Sequence, residues 1–194
     1  SWWALRAYRE LDDALLRLRV NHPDVGLVIV HTRGKVQTVL DLDAALVSRQ
    51  DDWFVREVTL HMKRVLKRMD MTAKTFFALV EEGSCFAGSL FELTVSGDRS
   101  YMFEEDGVEI ALSPMNFGLL PMGNGLTRLQ TRFLATPDHV EGLKERIGEA
   151  MDPDAAMDEG LVTDAFDDID WEDEIRLIIE ERATLSPDAL TGME

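Results

Sequence analysis

A chain of 194 residues that is 45% hydrophobic can bury one good-sized core and is too apolar to stay disordered. Its formal charge of −17 repels polyanions, which argues against nucleic acid and anionic membrane as partners. Cys85 is the only cysteine, which excludes an internal disulfide framework. No apolar run approaches the ~20 residues of a membrane span, and Ser1-Trp2-Trp3-Ala4-Leu5-Arg6 lacks a charged-then-apolar leader, so a reducing cytoplasm is the expected location. The charge is uneven: from Asp152 to Glu194 there are 15 acidic residues against Arg176 and Arg182, while the first 151 residues are near balance. This suggests a core over residues 1–150 and an acidic, helical C-terminal portion over 151–194 with a solvated surface.

In chain order, Leu5, Tyr8, Leu11, Leu15 and Leu18 recur at spacings of three and four, which predicts an amphipathic helix over 2–20. His22-Pro23-Asp24 ends it, and the apolar run 26–31 reads as a buried strand. Short and long helices are expected over 41–49 and 51–69, the second with Phe54, Val58, Met62, Val65 and Met69 on one stripe. Thr75 to Val80 reads as a second buried strand. Beyond a helix opening at Gly88, residues 99–103 and 108–112 look like strands across the turn Glu104-Glu105-Asp106-Gly107. A Gly- and Pro-rich loop over 113–125 precedes a helix at 126–133. Thr136-Pro137 and Asp152-Pro153 are helix starts with proline at the first helical position. A short strand after Gly160, a long helix over 171–185 and a last helix after Ser186-Pro187 complete the chain. Helix and strand alternate, which favours an α/β layering.

The stretch Glu82-Gly83-Ser84-Cys85-Phe86-Ala87-Gly88-Ser89-Leu90-Phe91-Glu92-Leu93 carries the most chemistry. An apolar strand runs into small residues that let backbone approach a ligand, and the helix that follows aims N–H groups and its positive dipole end at whatever binds. Glu92 lies four residues past Gly88, on the same helical face and about 6 Å along the axis. Donors and a carboxylate can therefore share one neighbourhood, although Glu92 could equally complement the dipole in the first turn. Cys85 has no histidine near it in sequence and reads as packing. His22, His31, His61 and His139 show no ligand spacing, so no metal site is expected. Gly123-Asn124-Gly125 lacks the lysine of a phosphate loop and reads as a helix entry.

Several of these pieces, in this order, resemble the crotonase (enoyl-CoA hydratase/isomerase) superfamily. They are helix 2–20 followed by Val28-Ile29-Val30-His31-Thr32-Arg33-Gly34, the glycine-rich helix start with its Glu over 86–93, Phe117-Gly118-Leu119-Leu120-Pro121 with Gly125 and Arg128-Leu129, and Ala155-Ala156-Met157 to Gly160-Leu161-Val162. Within that superfamily the wording of residues 2–17, 82–92, Met115-Asn116-Phe117-Gly118 and 186–194 is most similar to the benzoyl-CoA-dihydrodiol lyase branch. The resemblance covers the whole chain but a minority of that branch's length, without its opening strands.

The resemblance implies an α/β, crotonase-like (ClpP/crotonase) spiral of short strands with flanking helices, acting on an acyl-CoA thioester. No cofactor is implied beyond the coenzyme A that the substrate carries, and self-association into a homo-oligomer is expected. Gly88 and Leu40 would supply the oxyanion N–H groups, although Lys35 to Asp41 lacks the usual small residues. Glu92 would activate water or carry a proton, in a ring opening of 2,3-epoxybenzoyl-CoA with loss of formate. The hydratase-type second acid aligns at Pro114, which has no proton to give, leaving Asn116 and Glu109 as supporting groups. The alternatives are a non-catalytic crotonase-fold scaffold and a one-acid enoyl-CoA hydratase or isomerase.

Overall fold

The computed structural model describes residues 2–193; Ser1 and the final residue of the acidic portion, Glu194, lie outside the described residues. Helix α1 (Trp2–Asn21) leads to strand β1 (Leu27–Val30), then α2 (Val36–Val47), α3 (Trp53–Asp70) and β2 (Thr75–Val80). Next come α4 (Gly88–Ser96), β3 (Arg99–Phe103), β4 (Ile110–Ala111), a 3-10 turn (Pro114–Phe117), α5 (Arg128–Arg132) and α6 (Pro137–Leu143). Strand β5 (Ala150–Met151), α7 (Pro153–Asp158), β6 (Asp164–Phe166), α8 (Trp171–Ala183) and α9 (Pro187–Met193) follow. No helix among the described residues is long and apolar enough to cross a membrane.

Strands β1, β2, β3 and β6 form one parallel sheet in the order β1-β2-β3-β6. Strand β2 is buried at all six positions, as a central parallel strand covered on both faces must be. Its alternation assigns the faces. Phe76, Ala78 and Val80 join the main core with α1, α3 and α4, while Phe77 and Leu79 pack with Tyr101, Phe166, Trp171 and Ile175 beneath α8. Helix α3 starts at its cap Asp52, whose carboxylate accepts from the Phe54 and Val55 N–H groups at 2.8 and 3.3 Å.

Three expectations change. Helix α2 begins at Val36 rather than Asp41, because Val36, Val39 and Leu46 form a stripe that buries from the first turn. Residues 99–103 and 108–112 are not paired with each other. Strand β3 already has parallel partners on both sides, β2 and β6, so β4 instead pairs antiparallel with β5. The portion from residue 151 is more than helical surface: β6 is the fourth strand of the main sheet, and Met151, Ala156, Leu161 and Val162 lie in the main core.

Candidate active site

Gly88 opens α4 at φ +44°, a left-handed conformation that glycine alone adopts without strain. A side chain there would also run into the Asp43 carboxylate and Ser113 Oγ. Glycine is therefore required twice over, by backbone angle and by close approach.

The group pressed against Gly88 is a carboxylate that sequence reasoning did not single out. Asp43 stands on the inner face of α2, fully buried, and its Oδ2 accepts from the Ser89 N–H and from Ser113 Oγ, each at 2.7 Å. The first turn of α4 thus already holds a negative oxygen, one supplied by the protein itself. Burial pushes the Asp43 carboxyl above the usual range, against the bonds from Ser89 and Ser113. Its Oδ1 has no hydrogen-bond partner among the described residues.

Ser113 also caps the 3-10 turn: its N–H donates to Asn116 Oδ1 at 2.9 Å, and its hydroxyl accepts from the Met115 N–H at 3.1 Å. Asn116 Nδ2 then donates to the Gly88 carbonyl at 2.9 Å and to Glu92 Oε1 at 2.7 Å. Asn116 is therefore an anchor for Glu92. The other Glu92 oxygen accepts from Arg128 Nη1 at 2.8 Å, and the same guanidinium holds Asp70 at 2.9 and 2.6 Å and donates to the Leu120 carbonyl at 3.0 Å. Asp70 in turn accepts from Ser96 Oγ at 2.7 Å. From α1, Tyr8 donates its hydroxyl proton to the Ser89 carbonyl at 2.7 Å.

A continuous buried polar chain therefore runs from Asp43 through Ser113, Asn116, Glu92 and Arg128 to Asp70, passing the Gly88–Ser89 peptide on its way. Desolvation pushes the Glu92 carboxyl up to about 7, while Arg128 and Asn116 favour its charged form. A carboxyl at that level can hold or release a proton near neutral pH.

Gly88, Glu92 and Asn116 are thus brought together, and the other two expected residues are not. Leu40 sits one turn inside α2, where its N–H is committed to the helix ladder, because the helix starts earlier than the spacing suggested. Glu109 is half-buried before β4 and takes no part in the chain of bonds. Asp43, Ser113 and Arg128 were missed. The available signals were Asp43 on the stripe Val36, Val39, Leu46, and Arg128 inside the sequence Thr127 to Gln130, which forms a capping box.

Between α2 and the segment that opens α4 lies a largely apolar pocket of about 450 Å³ lined by Val39, Leu42, Ala45, Cys85 and Leu90, with Arg33 and Lys35 among its polar residues. Helix α2 lines both features: Val39 and Leu42 face the pocket, and Asp43 faces the buried chain. No group of three His, Cys, Asp or Glu side chains that could hold a metal occurs among the described residues.

No family model matches the chain. It is 49% identical over its full length to a benzoyl-CoA-dihydrodiol lyase from Aromatoleum evansii, of which it spans 35%. The chain thus covers about a third of that relative's length. Among solved structures, an enoyl-CoA hydratase/carnitine racemase from Magnetospirillum magneticum superposes with a TM-score of 0.69 at 17% identity, over 96% of this chain and 67% of its own. An enoyl-CoA hydratase from Geobacillus kaustophilus gives 0.65 at 20%, over 92% of this chain and 65% of its own. The chain therefore shares the fold of these enoyl-CoA hydratases and is similar along its whole length to about a third of a benzoyl-CoA-dihydrodiol lyase.

Proposed function

We propose that the chain binds an acyl-CoA thioester beside the opening of α4 and takes part in the ring opening of 2,3-epoxybenzoyl-CoA by water, with loss of formate. The observation that carries the reading is Glu92: a deeply buried carboxyl one turn past a left-handed glycine, pushed up to about 7. The Gly88 N–H, at the opening of α4 beside the donor that Asp43 occupies, would draw negative charge onto the thioester oxygen, and Glu92 would take a proton from water. Further support comes from the apolar pocket between α2 and the α4 segment, whose 450 Å³ would accommodate an aromatic acyl group, with Arg33 and Lys35 in its lining to attract an anionic nucleotide. We also propose self-association through the outer edge of β1, which has no strand partner among the described residues.

The test has two stages. Titration of the chain with benzoyl-CoA should give saturable binding that is lost in Ala45→Trp, a change that fills the pocket. Turnover of the epoxide thioester should then fall at least about 100-fold in Glu92→Gln, the lower range for a general acid or base. Absence of wild-type binding refutes the reading, and equal turnover in the two proteins removes Glu92 from it.

A second reading is favoured by Arg128 and Asn116, which occupy both Glu92 oxygens: the site would be a closed structural ion-pair chain in a non-catalytic scaffold. Binding without turnover would support it. Product analysis with crotonyl-CoA separates both from a simple hydratase or isomerase.

A further inference from the structure

We infer that the concavity between α8 and the amino ends of β2 and β3 is a second ligand site, one that takes a small oxyanion, a carboxylate or a phosphate, between Arg99 and Arg182. The inference is independent of the thioester reading above. It starts from Arg182. Between Asp152 and Glu194 the basic residues are Arg176 and Arg182, among 15 acidic ones. Arg176 pairs with Asp173 at 2.9 Å on the surface of α8. Arg182 pairs with no carboxylate among the described residues and turns inward instead. Its Nε donates to Thr75 Oγ1 at 2.7 Å, at the start of β2, and its Nη1 is buried without a partner. The guanidinium is thus fixed in place, with its charge unpaired and donors that the protein itself does not use.

The strands supply the second cation. Residues two apart on a strand share a face, so Arg99 points toward α8 as Tyr101 does, and it stands in register with Phe77 of β2. A pocket of about 410 Å³ lies there, lined by both arginines, by Phe77 and Tyr101, and by Ile178 and Leu185 of the α8 end, a size usual for small-molecule sites. Arg99 is exposed, lies beside the Tyr101 hydroxyl and has no carboxylate partner among the described residues. A chain of charge −17 therefore turns two unpaired guanidiniums into one concavity. The planar fork of each matches the paired oxygens of a carboxylate or phosphate, and the Thr75 bond orders one fork before anything binds, which lowers the cost of binding. Ile178 and Leu185 offer an apolar wall to the body of a ligand. The one acid in the lining is Glu181, whose charge opposes a bound anion.

The place is separate from the opening of α4. That opening follows the carboxyl end of β2, whereas Thr75 and Arg99 are the first residues of their parallel strands. The pocket also lies on the sheet face covered by α8, and α4 packs against the other. An anion held by Arg99 and Arg182 would tie the end of α8 to β3, and so would fasten the acidic C-terminal helix to the sheet.

The experiment is calorimetric titration with inorganic phosphate and, separately, with hexanoate, at constant ionic strength, for wild type, Arg99→Gln, Arg182→Lys and Glu181→Gln. Wild type should bind at least one probe saturably, with a Kd of about 1 mM or lower. Saturation by phosphate alone identifies a phosphate ligand, by hexanoate alone a carboxylate with an apolar body, and by both the shared oxyanion chemistry. Arg99→Gln and Arg182→Lys should each weaken binding at least about tenfold, and Glu181→Gln should tighten it about threefold. Arg182→Lys keeps the charge at the helix end and removes the fork, so an arginine that serves only the helix would leave affinity unchanged. Arg99 and Glu181 are exposed, so their variants decide the matter even if the change at 182 unfolds the chain. Failure of wild type to saturate with either probe overturns the inference, and so does unchanged affinity in Arg99→Gln.

Discussion

Replacing Arg128 with Met should be among the most damaging single changes in the chain. The guanidinium is 2% exposed and makes three charge-assisted bonds, at 2.9 and 2.6 Å to Asp70 and 2.8 Å to Glu92. Gross bond counting at ~1.5–3 kcal/mol each overstates the loss, because a stranded carboxylate takes up a proton rather than remain charged and unpaired. Glu92, already near 7, does so almost without cost at neutral pH. Asp70 loses both of its guanidinium bonds and keeps the one from Ser96 Oγ. The variant should therefore lose about 3–5 kcal/mol at pH 7, in line with breaking a buried pair. Urea unfolding followed by tryptophan fluorescence measures this. Adding Asp70→Asn should recover most of the loss. A cost below about 1 kcal/mol at pH 7 would refute the reasoning.

Glu92→Gln should flatten the pH dependence of stability. Because the folded group sits at about 7 against an ordinary 4.5, its proton stabilises the fold fully below about pH 4.5, and that stabilisation is lost as pH rises through 7. Wild type should shed about 3 kcal/mol relative to the variant across that window, and parallel stability curves would contradict the shift. Gly88→Ala should cost at least about 3 kcal/mol, from backbone strain plus displacement of Asp43 and Ser113, and a thermal scan within a few degrees of wild type would show that the opening can relax. Ser113→Ala should cost about 1–2 kcal/mol as a lost cap and a lost bond to a buried carboxylate, read from chemical denaturation. Ala45→Trp should leave stability within about 1 kcal/mol, since its site faces the pocket, while removing thioester binding in calorimetry.

Much of the fold was legible because its signals are local. The stripe in α1, the apolar run of β2 and the glycine before α4 each sit within one element. Parallel pairing is not local, and so residues 99–103 and 108–112 read as neighbours across a turn although β3 is filled on both edges by strands far away in sequence. The site divides in the same way. Gly88 and Glu92 are four residues apart on one helix and could be read together. Asp43 and Arg128 reach them over 46 and 36 residues, and their own segments mark them only by a charge on a buried stripe for Asp43 and a place inside a capping box for Arg128. Leu40 was misplaced by helix phase alone. Starting α2 at Val36 puts its N–H inside the ladder.

The bond from Tyr8 to the Ser89 carbonyl spans 81 positions, and it bears on how the protein is made. Helix α1 leaves the ribosome before α4, and the backbone group that its buried tyrosine needs is synthesised 81 residues later. At ~5–20 residues per second, translation keeps that partner away for seconds. During this interval the inner face of α1, Ala4, Tyr8 and Leu15, can be met by α3 but not by α4. The seat of α1 is therefore completed only once α4 has been made, and weakening the helix should show as aggregation during synthesis before it shows as lost stability in the finished chain.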